Sequence, residues 1–175
     1  MSIFSVDIEA NGPDPLGYSM VQIGAVLVDP GGKLDKTFYA ELRPRRHTAF
    51  EPEALRSCGL THDQTLAYPY ASIAMKDLTK WLYKSNLKGR IEMLTDNPGF
   101  DWQFVNSYMW HYTRRNPFGF SCFSLTSMYK GFAKNHRKSF KHLRVTKHTH
   151  NPVDDARGNA EALVKLIEMG YECKL

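Results

Sequence analysis

Cysteine is scarce in this chain: Cys58, Cys122 and Cys173 stand far apart, with no C-x-x-C pair among them. Their number and spacing argue against a disulfide framework and a zinc ribbon, and suit a reducing compartment. Long apolar runs are missing too. None approaches the roughly 18 residues that span a bilayer, and Met1 to Glu9 lacks the basic region and apolar core of a signal peptide. A cytoplasmic protein that engages no membrane is the expectation. Acidic residues are absent over one long stretch: Trp102 to Val153 holds nine Lys/Arg and no Asp or Glu. The remainder holds fourteen basic and eighteen acidic residues, so a net charge of +5 conceals a cationic segment beside an acidic one. Such asymmetry fits a polyanion-binding surface next to an acidic pocket, or more plainly a solvated basic face.

What is present is enough for a core. The chain has 175 residues, of which 42% are hydrophobic and 13% aromatic, so a single domain over 1–175 that needs no disulfide or structural metal is expected. Ile3 to Ile8 predicts a buried strand, followed by the turn-forming Asn11-Gly12-Pro13-Asp14-Pro15. Met20 to Val28 and Leu34 to Leu42 predict two further strands, joined as a hairpin through Asp29-Pro30-Gly31-Gly32. Arg43 to Tyr70 is loop-rich, with a helical turn at Pro52 to Cys58. Apolar residues at helical spacing mark Tyr70 to Leu82 as a helix. Arg90 to Thr95 predicts a fourth strand. Helices follow at about Phe100 to Arg114, within Phe123 to Phe132, and from about Val153 to Met169, the last ending at Gly170. Lys134 to His148 is the basic, partly irregular segment. Strands first and helical crossovers later predict an α/β domain with a mixed sheet.

Three places carry chemistry. Asp7 and Glu9 lie two apart at the end of an apolar strand and therefore share one face of the sheet. Two adjacent carboxylates repel unless a cation holds them, and Mg²⁺ or Mn²⁺ takes carboxylate oxygens; the plainer reading is a solvated turn. Asp101 stands at the start of a helix, where a carboxylate simply complements the dipole. Asp154 and Asp155 open the last helix behind Pro152, and one of them is explained as a helix-start residue alone. His150 lies five residues before Asp155.

Taken together, VDIEANG with Asp7 and Glu9, DNPGFDWQF with Asp101, and HNPVDDARGNAEAL with His150 and Asp155 resemble the three motifs of the DEDDh 3′-5′ exonucleases, in that family's order. The short length, the DIEANGP opening and the SMVQIGAV strand are most similar to the RNase T-like bacterial 3′ exoribonucleases. The resemblance implies a ribonuclease H-like fold, a central mixed sheet flanked by helices.

It also implies a reaction. Hydrolysis of a phosphodiester needs a deprotonated water, in-line geometry and charge neutralisation on the attacking and leaving oxygens, and two divalent ions about 4 Å apart supply these. By the family pattern Asp7 bridges two ions, Mg²⁺ or Mn²⁺, Glu9 and Asp155 complete one site, and Asp101 supports the other. His150 is the general base, a role suited to a side chain with an ordinary pKa of about 6.5. The H-x4-D spacing selects Asp155 over Asp154. The products are nucleoside 5′-monophosphates.

For substrate contacts, the pattern places the terminal sugar near backbone groups of Ala10, Asn11 and Gly12. Tyr18, Met20 and Phe100 are candidates for stacking on bases. Arg137, Lys141, Arg144 and Lys147, with Tyr129 and Phe140 interleaved, suit a path for a nucleic-acid backbone. The expected partner is RNA with a single-stranded 3′ end or overhang, and the family implies a homodimer. A DNA exonuclease with the same site is the nearest alternative. A non-catalytic nucleic-acid-binding module is a second, and a zinc protein built on His136, His142, His148 and His150 is a third.

Overall fold

The computed structural model describes residues 1–29 and 31–173; Pro30, in the expected hairpin turn, lies outside the described residues. Five strands form one mixed sheet in the order β3-β2-β1-β4-β5. They are β1 (Ser2–Ala10), β2 (Met20–Val28), β3 (Thr37–Glu41), β4 (Ile91–Thr95) and β5 (Phe123–Ser124). The first three run antiparallel, and β1, β4 and β5 run parallel. The helices are α1 (Pro52–Ser57), α2 (His62–Leu66), α3 (Ala71–Ser85), α4 (Asp101–Thr113), α5 (Leu125–Phe132) and α6 (Pro152–Glu168), with a 3₁₀ turn at Lys141–Leu143. No helix among the described residues is long and apolar enough to cross a membrane.

Strand alternation divides the core. Phe4, Val6 and Ile8 of β1 pack with Leu78 and Leu82 of α3 and with Phe104 and Tyr108 of α4. Ile3, one register away, packs with Ala156, Ala160 and Leu163 of α6. Each fully buried Leu, Ile or Phe here contributes about 1.5–3 kcal/mol relative to exposure. Because side chains along a strand alternate with period two, Asp7 and Glu9 share the α6 side with Ile3.

A strand glycine lets α6 reach them. Gly24 of β2 pairs with Asp7, and a Cβ at position 24 would fall 2.3 Å from the Pro152 carbonyl carbon and 2.4 Å from the Val153 nitrogen. Only glycine admits the helix backbone this close. The start of α6, with Asp155 in its first turn, therefore rests directly beside Asp7.

Three expectations differ in detail. The third strand begins at Thr37, not Leu34. A turn does form at Asp29, whose carbonyl accepts from Gly32 N–H, but the Leu34 carbonyl accepts from Arg157 Nη1 at 2.6 Å and so leaves the ladder for α6. Phe123 and Ser124 form a short parallel strand before the helix, pairing with Leu94 and Thr95. Helix α2 lies within the expected loop region, held by a capping box in which Thr61 and Gln64 satisfy each other.

Candidate active site

The acidic residues converge at the C-terminal end of β1. Carboxylate oxygens of Asp7, Glu9 and Asp155 lie within 4.8 Å of one another, and so do those of Asp7, Asp96 and Asp101. Asp7 belongs to both groups. The four carboxylates singled out in the sequence are thus brought together, and a fifth, Asp96, joins them.

Local folding explains each position. Beyond the last β1–β4 pair, Ser5 with Leu94, Ile8 N–H donates to Asp101 Oδ1 at 3.3 Å. The hydroxyl of Thr95, the last residue of β4, donates to the other Asp101 oxygen. Asp101 is buried and has both oxygens engaged. Asn151 caps α6, its side chain accepting from Val153 and Asp154 N–H, which sets the helix start. Asp155 then points inward, 1% exposed, whereas Asp154 turns to the Thr149 hydroxyl at 3.1 Å. The neighbouring acid is the helix-start residue.

Three groups hold Asp155. Arg144 Nη2 lies 2.6 Å and His148 Nδ1 2.7 Å from its Oδ1, and His150 N–H donates to its Oδ2 at 3.0 Å. The His150 ring faces Glu9, with Nδ1 3.7 Å from Oε1, and lies 4.3 Å centroid to centroid from the His148 ring. His150 adopts φ 58°, a left-handed conformation that costs a residue with a Cβ about 1–2 kcal/mol.

Crowded, buried carboxylates resist ionisation. Burial, followed by Asp101, Asp155, Glu9 and Asp96, holds Asp7 well above the usual range. Burial and then Asp155 and Asp101 push Glu9 up to about 8. Asp101 is pushed up to about 7 by burial, against the Thr95 hydrogen bond and with Asp96 adding to the rise. A donor set made only of hard carboxylate oxygens, which repel until a cation arrives, fits a divalent metal of the Mg²⁺ or Mn²⁺ kind.

The cleft beside these groups encloses about 400 Å³, and its lining includes Ala10, Gly12, Glu51, Phe100, His148 and His150. Ala10 follows a register shift in β1, an irregularity that frees backbone groups from the ladder. Phe100 lies at the cleft as expected. Tyr18 packs its ring against Gly12 and so borders the cleft wall instead of opening onto it.

Several expected contacts do not fit their assigned roles. Met20 is fully buried in the core and its N–H donates to Tyr108 Oη at 2.9 Å, so it offers no stacking face. Asn11 is fully buried, with N–H to the Ser19 carbonyl, carbonyl to Glu51 N–H and Oδ1 to Ser19 N–H. Arg144 has a side chain only 7% exposed and serves Asp155, not a backbone phosphate. Tyr129 and Phe140 belong to the core under α6. Arg137, Lys141 and Lys147 remain exposed. His142 is turned to Tyr129 and the Ser139 carbonyl, away from any shared site with His148 and His150.

Sequence reasoning missed Asp96, and it read His148 only as a candidate zinc ligand and not as a partner of Asp155. Asp96 precedes the Asn97-Pro98-Gly99 break and looks like a turn residue; only the end of β4 beside β1 brings it to Asp7. His148 shares the H-T-H segment with His150, and that alternation was the available signal.

Residues 2–167 match the family model described as a 3′-5′ exoribonuclease Rv2179c-like domain. The chain is 31% identical over 182 residues to the 3′-5′ DNA exonuclease Cap18 of Escherichia coli, covering 97% of this chain and 93% of that protein. Among solved structures, the nuclease domain of 3′hExo, a DEDDh family member bound to rAMP, superposes with a TM-score of 0.80 at 19% identity, covering 99% of this chain and 94% of the other. An E. coli ExoI–ssDNA complex in a zinc-bound form superposes with a TM-score of 0.74 at 16% identity, covering 96% of this chain and 40% of that one. These likenesses show a ribonuclease H-like fold.

Proposed function

The chain belongs to the Rv2179c-like 3′-5′ exoribonuclease domain family and is a 3′-5′ exonuclease of the DEDDh type, and we propose that its substrate is RNA with a free single-stranded 3′ end, from which it releases nucleoside 5′-monophosphates. The observation that carries the catalytic reading is the pair of carboxylate triads sharing Asp7. Asp7, Glu9 and Asp155 would hold one divalent cation, and Asp7 and Asp101, with Asp96, would hold a second. When bound, such ions supply charge neutralisation on the scissile phosphate and a lowered pKa for the attacking water.

The remaining chemistry falls to side chains. His150 is the general base, with its ring beside Glu9 at the cleft, where it takes the proton of the attacking water. Its backbone N–H, which donates to Asp155, couples the segment carrying the base to that carboxylate. Phe100 supports the terminal base, and backbone groups of Ala10 and Gly12 approach the terminal sugar. Arg137, Lys141 and Lys147 attract the strand. A homodimer is part of this reading; the exposed, stacked Trp110 and Phe120 support an apolar contact between copies, and light scattering tests it.

DNA is the second reading, carried by the DNA exonuclease named among the relatives. Both are tested by 5′-labelled and 3′-labelled single strands of RNA and DNA with Mg²⁺, Mn²⁺ or EDTA. Stepwise mononucleotide release from RNA, abolished by EDTA, is expected. Faster release from DNA would transfer the assignment to the second reading, and internal cuts would refute an exonuclease.

A further inference from the structure

A second cavity, larger than the catalytic cleft at about 590 Å³, lies elsewhere, between the segment after β3 and the start of α3. Arg43, Arg45, Arg46, His47 and His111 line it with no acidic residue, and Tyr70 and Tyr112 supply aromatic faces. Among the described residues none of the three arginines forms a salt bridge. The cavity is built, not incidental. Arg45 Nη2 donates to the Tyr18 carbonyl at 2.6 Å while the guanidinium lies over the Tyr108 ring, and its buried Nε has no protein partner among the described residues. Arg43 is fixed by Nε to the Tyr68 carbonyl at 3.1 Å and by stacking over Tyr70. Ala71 and Ser72, the first residues of α3, also line the cavity, and that helix has neither a side-chain cap nor an acid in its first turn. Its free N–H groups add to the positive field of the arginines.

We propose that this cavity binds a phosphate ester of the substrate strand, several nucleotides upstream of the scissile bond. The inference rests on the exonuclease reading and assigns that enzyme a second anchoring point. Continuity with the catalytic cleft argues for the strand. Helix α4 presents Asp101 at the cleft and His111 at the cavity, ten residues apart, a rise of about 15 Å or roughly four nucleotides of a stacked strand. The segment that carries Arg43 to Thr48 continues to Glu51 in the cleft wall, and the loop after β1 offers Gly12 to the cleft and Leu16 to the cavity. Tyr70, 60% exposed, provides a face on which a base can stack without sequence preference.

The test compares strands of three and twelve nucleotides in a His150→Ala background with Mg²⁺, by fluorescence anisotropy. Arg46 is exposed and makes no hydrogen bond to another described side chain, so Arg46→Ala leaves the fold intact. It is expected to weaken the 12-mer roughly tenfold, the effect of one charge-assisted hydrogen bond, and to leave the 3-mer unchanged. The dependence of log K on log salt becomes shallower by about 0.7 for each phosphate that is no longer neutralised. Ser72→Asp separates binding from folding: a carboxylate in the first turn of α3 holds or raises Tm while weakening the 12-mer. Equal loss on both lengths, or no loss on the 12-mer in both variants, overturns the proposal. AMP titrated by calorimetry provides the second arm. Binding that requires Arg46 yet leaves the 12-mer affinity untouched overturns the strand assignment in favour of a free mononucleotide. Absence of mononucleotide release by the unmodified protein would refute the catalytic reading alone, because the length-dependent binding is measured without turnover.

Discussion

Arg144 lies directly over Gly158, and the space it occupies exists because residue 158 has no side chain. A Cβ at position 158 would fall 2.2 Å from Arg144 Nε and 2.5 Å from Nη2, the nitrogen that stands 2.6 Å from Asp155 Oδ1. The last helix thus carries both the carboxylate, Asp155, and, one turn later, the gap that admits its cationic partner. Gly158→Ala tests this arrangement. In an ordinary helix interior the change adds about 0.5–1 kcal/mol of stability. Here the guanidinium must leave Asp155, and breaking that buried pair outweighs the helix gain, so both Tm and kcat are expected to fall. Unaltered kcat would show that Arg144 does not position Asp155.

Removing the arginine itself gives a second readout, the dependence of that loss on metal. Both partners are buried, and deleting one member of such a pair costs about 3–5 kcal/mol because the other charge is left uncompensated. Arg144→Gln should therefore lower the Tm of the protein in EDTA, and a divalent cation should recover more of it than in the unmodified chain. Chemical denaturation with and without Mn²⁺ measures the difference. Equal metal-dependent increments in the two proteins would refute the pairing as a support for the site.

The raised carboxyl pKa values set a direction for pH. Glu9, at about 8 against an ordinary 4.5, and Asp101, at about 7 against 3.8, hold protons in the folded protein that the unfolded chain has released. Stability of the metal-free protein is therefore highest below about pH 4 as far as these groups are concerned, and falls as pH rises through 7 and 8. A divalent cation, whose binding displaces those protons, flattens the slope and binds more tightly with rising pH over the same interval. Urea titrations at pH 5.5 and 8.5 in EDTA check the first part, and calorimetry in two buffers of different ionisation enthalpy counts the protons released. Metal-free stability that increases across that interval would contradict the assignment.

Sequence made the site legible where chemistry and element boundaries coincide. The shared face of Asp7 and Glu9 is readable from strand alternation, whereas the choice of Asp155 over Asp154 at the start of a proline-led helix came from the H-x4-D spacing of the family pattern. Asp96 was not readable, because its proximity to Asp7 depends on where β4 stops relative to β1, a non-local fact. The arginine cavity escaped for a related reason. The cluster Arg43-Pro44-Arg45-Arg46-His47 lies outside the acid-free stretch that dominated the charge pattern, and its walls come from α3 and α4, far away in sequence. Arg144 was misassigned because a Lys/Arg-rich segment gives no sign of which cation turns inward; the gap at Gly158 decides that.

Two histidines near one carboxylate call for a division of labour. His148 contacts Asp155 while His150 faces Glu9 across the cleft. His150→Ala should reduce kcat by about 10²–10⁴, the usual contribution of a general base, with metal affinity largely kept and, at saturating metal, the acidic limb of the pH–rate profile flattened. His148→Ala leaves the base in place and should retain that limb, with a smaller loss of rate. The reverse pattern would make His148 the base and His150 the residue that positions it.

The adjacent acids at the start of α6 and the pair of acids near β4 allow a sharper comparison, because each set contains one residue that reads as ordinary helix or turn chemistry. Asp154 bonds Thr149 and is not part of either triad, so Asp154→Asn should leave kcat/KM near that of the unmodified protein and cost only the few tenths of a kcal/mol of a helix-terminus charge. Asp96 stands with Asp7 and Asp101 and accepts from Asn159 Nδ2 at 3.5 Å. Asp96→Asn removes one of the charges that drive Asp7 upward, so metal-free stability should rise at pH 8, while the Mg²⁺ concentration needed for half-maximal activity increases. Stability curves in EDTA and metal titrations of turnover read these two effects separately. A variant with higher metal-free stability and an unchanged metal requirement would make Asp96 a bystander whose charge the site merely tolerates.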